Sequence, residues 1–401
     1  GGRGLARALR AFIVLQLALS VVLLVMAGHL RVNVFGLTHG DLGFTPARRT
    51  FFMVVLPSGE SDQTDAQYKA YVARASAFDR GFLDRLNGLA GVKDAALLSI
   101  MPFSNGSSTT SASTSPTDKA QRGIINRQTV SKRIAPTLGL RVLAGNLNGI
   151  FSGNGNTTFL DAAAVKRFWP ESKTVDVVGR SLYVGGKAWR VAAVVEPLRM
   201  KPYGSVGGTM FTPFGASSTG LTGGPQTFAV HSKLPRKALR DAMTTLARQL
   251  DPQAKIIEFH PAGELVAKAY DQRSELGQVF GVLAIVAMLI AAVGLFALLA
   301  YRSLVRRPEF AIRGALGATP ARLFGSVLTE AVTLWLIGCV IGIPAAYGLS
   351  VVLASHLPKL GLPAVWVAAA VVIALGAMAL VAALAPARRA AGIDLAGNLT
   401  N

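Results

Sequence analysis

The sequence predicts an α-helical membrane protein with four transmembrane helices, one and then three, and an extracytoplasmic two-lobed α+β domain inserted between helices 1 and 2. Three observations predict it. The chain has 401 residues, of which 51% are hydrophobic and only 15% charged, where soluble domains carry about 25% charged residues. Four blocks, Ala11–Leu30, Val279–Tyr301, Val327–Leu353 and Val365–Ala385, are long enough for the ~20 apolar residues that cross a bilayer. None contains Lys, Arg or Asp, and Glu330 is the one carboxylate among them. Finally, arginines are concentrated in alternate short segments between these blocks, which sets a topology.

Taken in order, residues 1–10 form a cytoplasmic tail with Arg3, Arg7 and Arg10, and residues 11–30 the first span. That span is too long for a signal-peptide core, and no convincing small-x-small cleavage site follows it, so it reads as uncleaved. The start at Gly-Gly-Arg without Met suggests a piece of something longer. Residues 31–275 form the outer domain and 276–301 the second span. Residues 302–326 form a cytoplasmic loop with Arg302, Arg306, Arg307, Arg313 and Arg322. The third span, 327–353, is followed by a short outer loop, 354–364, whose basic residue is Lys359. The fourth span, 365–385, leads to a cytoplasmic tail, 386–401, with Arg388 and Arg389. The reading is a multi-pass protein of a bacterial inner membrane with both termini cytoplasmic.

Within the outer domain, Thr50–Leu56 alternates as a strand, Asp62–Leu89 is amphipathic and helical, and Val92–Ile100 is a second strand. Much later Thr227–Ser232 reads as strand, Pro235–Leu250 as helix and Ala254–His260 as strand, so two βαβ-like units flank the middle. Between them Ser104–Ser115 is of low complexity and is expected to be a mobile loop, as is Gly145–Thr158. The insert has β-rich segments at Thr158–Leu160, Ser181–Val184 and Trp189–Val195, with Gly185-Gly186 as a hairpin turn. Ala162–Phe168 reads as a short helix stopped by Trp169-Pro170.

Several chemistries are missing from the sequence. The net charge of +20 at pH 7 invites a nucleic-acid partner, but no recognition helix or aromatic-basic platform accompanies it, and nucleic acid is not expected. No Gly-x-x-x-x-Gly-Lys-Ser/Thr loop cradles a phosphate, no His-Glu-x-x-His or Cys cluster offers a metal site, and no Gly-x-Ser-x-Gly elbow presents a nucleophile. No catalytic residue, metal or cofactor is therefore assigned, and the chain is not expected to be an enzyme. The single cysteine, Cys339, sits inside the third span as a small apolar residue. Glu330, at the entrance to that span near Arg322, reads as an anchor or loop partner rather than as part of an ion path. Gly277 with Gly281, and Gly338 with Gly342, have the spacing that allows close helix packing, within the chain or across a dimer equally well. Pro344 is expected to kink the third span.

One segment carries a resemblance. Arg307-Pro308-Glu309-Phe310-Ala311-Ile312-Arg313-Gly314-Ala315-Leu316-Gly317-Ala318 closely resembles the cytoplasmic loop of FtsX/MacB-type ABC transporter permeases. The C-terminal Pro386-Ala387-Arg388-Arg389-Ala390-Ala391-Gly392-Ile393-Asp394 resembles that family's closing motif, and Val14-Leu15-Gln16-Leu17-Ala18-Leu19-Ser20 its first span. Phe159-Leu160-Asp161, Trp169-Pro170 and Val178-Gly179-Arg180 are similar to parts of its periplasmic, MacB-like domain. The resemblance implies a permease subunit for export of a peptide, antibiotic or lipoprotein-like substrate, with ATP hydrolysed by separate cytoplasmic ABC ATPase subunits. Its alternative is a non-transporting, FtsX-like protein of mechanotransmission or sensing that regulates a periplasmic partner. It further implies a second permease half or a homodimer partner, membrane lipid around the spans, and room for a periplasmic adaptor. The residues implied to couple to the ATPase are Arg307, Glu309, Ile312, Arg313, Ala315, Leu316, Gly317 and Ala318. Glu309 and Arg313 would lie four apart on one helical face.

Overall fold

The computed structural model describes residues 2–57, 64–104, 106, 108–116, 122–147, 150–151, 156–202, 208–214, 226–306, 309, 319–357 and 359–391. They divide into two units, Thr38–Tyr270 and the pair of segments Gly1–Leu37 and Asp271–Asn401.

The helical unit contains α1 (Gly2–His39). The inserted unit follows with β1 (Arg49–Val55), α2 (Asp65–Asn87), β2 (Val92–Leu98), β3 (Thr109–Ser113), β4 (Arg122–Val130), α3 (Ile134–Leu138) and β5 (Val142–Gly145). Next come β6 (Thr157–Asp161), α4 (Ala162–Phe168), α5 (Thr174–Val177), β7 (Ser181–Val184), β8 (Lys187–Val195) and β9 (Thr209–Pro213). It ends with β10 (Gln226–Ser232), α6 (Arg236–Leu250), β11 (Lys255–Pro261) and α7 (Ala262–Lys268). The helical unit resumes with α8 (Asp271–Val305), α9 (Pro320–His356) and α10 (Val365–Ala391).

The first lobe of the inserted unit is a sheet in the order β11-β1-β10-β2, all pairs antiparallel. It is built from β1-α2-β2 and β10-α6-β11, a split β-α-β arrangement. The start of α2 is fixed chemically. The Thr64 hydroxyl accepts from the Gln67 amide at 3.4 Å, and the Gln67 side chain accepts from the Thr64 amide at 2.8 Å, a reciprocal cap. The apolar face of α2 (Phe78, Phe82, Leu83, Leu86) and that of α6 (Leu239, Met243, Ala247) cover Phe52, Val54, Ala95, Leu97, Phe228 and Val230 of the sheet. Phe82 meets Phe228 edge-on at 5.1 Å, and Phe52 stacks on Phe228 at 5.5 Å, geometries that rings favour beyond area burial alone.

The second lobe differs from a loose cluster of strands. The order β4-β3-β7-β8-β6-β9 returns to β4 through a parallel β4–β9 pairing, so six strands close into a ring. Every strand of it contributes to one core with α4 and α5, including Ile125, Leu160, Leu182, Trp189, Val191 and Met210. β5 extends the edge of β8 beyond β7. The expectation of a mobile loop over Ser104–Ser115 is corrected here: Thr109–Ser113 is β3, paired with β4 along one edge and with β7 along the other. Backbone pairing on both sides, which composition does not report, overrides the low complexity of the run. Of the other expected loop, Gly145 ends β5 and Thr157–Thr158 open β6, while residues 148–149 and 152–155 lie outside the described residues.

Asp79 is the odd residue of the first lobe. It sits on α2 beside Phe78, is 3% exposed, and its Oδ2 has no hydrogen-bond partner among the described residues. Burial pushes its carboxyl up to about 7, against a smaller opposing pull from Arg80. A carboxyl whose folded pKa is raised contributes most at low pH, and that contribution is lost as pH climbs from about 4 to about 7. The ceiling on the change is roughly 4 kcal/mol. Asp79→Asn should therefore raise the unfolding temperature of the chain in detergent more at pH 8 than at pH 5. An equal effect at both would mean that Asp79 is ionised throughout.

Among the described residues of the helical unit, four helices are long and apolar enough to cross a membrane: Arg7–His39, Asp271–Val305, Phe324–His356 and Val365–Arg389. The chain is thus of the membrane-protein type with an inserted α+β domain. Ile13 and Leu17 of α1 pack with Leu295 and Leu299 of α8, Leu334 of α9 and Ala379 and Ala383 of α10. A second cluster joins Val21 and Val25 of α1 to Cys339 and Ala346 of α9 and Val371 and Leu375 of α10. Outward, α8 presents Val279, Val282, Val286, Ile290 and Val293, each about half exposed or more, which is the surface lipid requires. α9 runs through Pro344 as one helix.

Candidate functional site

The helices flanking the basic loop bring four charges together. Arg302 lies in the last turn of α8 and Arg306 just after its end, α1 supplies Arg10, and Glu330 lies in the third turn of α9. The Arg10 guanidinium donates to Glu330 Oε1 at 3.1 Å, and Arg302 pairs with the same oxygen. Arg302 and Glu330 are each only 16% exposed, Arg10 44%. One carboxylate thus ties three helices. Its partners come from α1 and α8; Arg322, the neighbour expected from the sequence, is not among them. A carboxylate this enclosed is costly unless paired and hydrogen-bonded.

Beside this cluster a groove of about 470 Å3 opens between α1 and α9. Arg10, Arg302, Arg306 and Glu330 form its polar end, and Val14, Leu334 and Ile337 its apolar wall. Ser326, Thr329, Glu330, Thr333 and Ile337 all line it because they recur every three or four residues on one face of α9.

Of the residues assigned to coupling, Glu309 is described and lies 3.6 Å from the Arg306 guanidinium. Arg307, Ile312, Arg313, Ala315, Leu316, Gly317 and Ala318 lie outside the described residues. The expected Glu309–Arg313 pairing falls there too.

The packing glycines part company. A Cβ at Gly338 would sit 2.7 Å from Leu17 Cβ, and one at Gly342 would sit 2.6 Å from Val21 Cβ and 2.8 Å from the Ala18 carbonyl, so α9 approaches α1 at both. Gly277 approaches Leu30 of α1 more loosely, at 3.4 Å, and Gly281 has open space. At the other end of the unit, sequence reading missed a polar clasp. Arg273, 1% exposed on α8, donates to Asn33 Oδ1 of α1 at 2.7 Å. The Asn33 amide in turn donates to the Lys359 and Leu360 carbonyls at 3.0 and 3.3 Å. A lone Asn past the apolar part of α1, and an Arg just before that of α8, were the available signals.

Residues 281–395, which contain the loop, Glu330 and both close-packed glycines of α9, match the family described as FtsX-like permease C-terminal. The likeness to FtsX-like permeases lies in this C-terminal region. No curated protein matches it. Among solved structures, it is similar to the periplasmic region of MacB from Actinobacillus actinomycetemcomitans, at 12% identity and a TM-score of 0.37, covering 58% of this chain and 97% of that one. It is also similar to the extracellular domain of the noncanonic ABC-type transporter YknZ from Gram-positive bacteria, at 10% identity and a TM-score of 0.35, covering 52% and 100%.

Proposed function

We propose that the chain is the membrane subunit of an ABC-type permease, driven by separate cytoplasmic ATPase subunits that dock on residues 302–326. Both termini and this loop face the cytoplasm of a bacterial inner membrane, and the inserted domain faces outward. ATP-driven displacement of the loop moves α8 and α9, and the shared pairing of Glu330 passes that movement to α1, which leads directly into the inserted domain. The substrate class is an exported peptide, antibiotic or lipoprotein-like molecule, and a second permease half or a second copy completes the membrane part.

The observation that carries this reading is the stapling of α1, α8 and α9 at the end where the basic loop emerges; of the stapled residues, Arg302 and Glu330 lie inside the segment that matches the permease family and Arg10 outside it. The test uses the loop itself. Gly317→Glu would place an unpaired carboxylate at a close docking contact, where such a charge costs several kcal/mol. Glu309→Ala with Arg313→Ala would remove two of the charges assigned to docking while leaving the spans untouched. Each variant should insert normally, yet lose most ATPase co-purification and permease-stimulated ATP turnover. Full ATPase binding and turnover by both variants would reduce the loop to a basic topology anchor and defeat the proposal.

A further inference from the structure

The groove beside the charged cluster has a shape and polarity that the coupling role does not use. From Arg10 to Val14 along α1 is about 6 Å, and from Glu330 to Ile337 along α9 about 10 Å, at ~1.5 Å per helical residue. The groove therefore descends from a polar end into the depth of the bilayer. Its volume, about 470 Å3, lies within the range of roughly 300–1,000 Å3 typical of small-molecule sites.

Its two ends ask for different chemistry. At the polar end three guanidinium groups, those of Arg10, Arg302 and Arg306, crowd closely enough that Arg302 feels the like charge of both others. One lining carboxylate, Glu330, opposes them and is already shared by Arg10 and Arg302, while Glu309, outside the lining, lies 3.6 Å from the Arg306 guanidinium. The lining thus keeps an excess of positive charge. The Thr329 and Thr333 hydroxyls donate to carbonyls of their own helix at 2.8 and 2.7 Å, so an incoming anion would be held by the arginines. Beyond the charges, the lining is apolar: Ala11 and Val14 of α1, Leu334 and Ile337 of α9. A soluble anion would satisfy the arginines and leave the apolar wall wet. A neutral lipid would do the opposite.

We infer that this groove is a binding site for one anionic phospholipid, its phosphate held between Arg10 and Arg306 and the start of an acyl chain lying along Val14 and Ile337. The inference rests on the four helices standing in a bilayer, not on coupling to an ATPase. It is tested with no ATPase present, so its failure and that of the proposed function are separable.

The full chain would be reconstituted into nanodiscs of mixed phosphatidylcholine and phosphatidylglycerol, then released from them for native mass spectrometry. The wild-type chain should retain one phosphatidylglycerol in preference to phosphatidylcholine. In Arg10→Gln with Arg306→Gln the preference should fall, by roughly five-fold per arginine. Ile337→Trp, which fills the apolar wall and leaves the charges in place, should lose the bound lipid of either kind. Equal retention of the two lipids by the wild type would overturn the assignment, as would phosphatidylglycerol retention that survives both variants. So would displacement of the lipid by inorganic phosphate alone, since the ligand would then be a soluble anion.

Discussion

A chain carrying Gly338→Leu and Gly342→Leu should reach the membrane but fail to hold α1 against α9. Added Cβ atoms at these positions would meet Leu17 Cβ, Val21 Cβ and the Ala18 carbonyl at 2.6 to 2.8 Å. These obstacles are backbone and Cβ atoms, which no rotamer change can move aside, so the helices themselves must part. Their separation would open the cluster that joins Val21 and Val25 to Cys339 and Ala346. Overpacking by one group commonly costs about 1–3 kcal/mol, so two leucines against backbone should cost roughly 3 kcal/mol or more. The measurement is the unfolding midpoint in detergent, with Gly348→Leu as reference, because open space surrounds Gly348 on the same helix. A double variant as stable as the reference would show that α1 does not depend on this approach.

The second large effect is expected at Glu330. Glu330→Ala leaves Arg302, 16% exposed, and Arg10, 44% exposed, without their shared carboxylate. Arg10 can turn toward water, whereas Arg302 stays enclosed with a second like charge, Arg306, nearby. Breaking one side of a fully buried pair costs about 3–5 kcal/mol, and this partly enclosed pair should fall near or below the lower end. Adding Arg302→Met to Glu330→Ala removes the stranded charge and should recover most of the loss. The four proteins of the cycle, compared by unfolding midpoint, isolate the coupling. If the double variant is no more stable than Glu330→Ala alone, the contribution of Glu330 is not ionic.

The sequence showed the parts of this protein more readily than their neighbours. β1, α2, β2 and later β10, α6, β11 were readable because alternation and helical periodicity are local signals, whereas the Thr64–Gln67 cap that sets the start of α2 was missed. The start of α2 at Asp65 rather than Asp62 is a matter of that cap. The ring was not readable. Its closing contact pairs Asn126 with Thr209 and Val130 with Pro213, and an alternating pattern says that a segment is a strand without saying which strand lies beside it. β3 was hidden for a related reason, since its Thr, Ser and Ala are unremarkable until two partner strands take up its backbone groups.

At the candidate site Glu330 stood out as the one carboxylate in the apolar blocks, but Arg10 lies 320 positions away, and charge in a sequence carries no address. The glycine pairs were visible as a spacing. Which of them meets a neighbour depends on where α1 lies: Gly338 and Gly342 face it closely, whereas Gly281 has open space.

The strand order of the inserted unit has a consequence for how the chain matures. β1 lies between β10 and β11, so Phe51 finds its cross-strand partners, Ala229 and His260, only at the far end of the domain. Every strand of the ring lies between Thr109 and Pro213. As the polypeptide emerges from its N-terminus, the ring has all its strands in hand while β1 still has both hydrogen-bonding edges bare. The first strand of the domain to be made is therefore the last to have both its partners available, and all six strands of the ring are made in between.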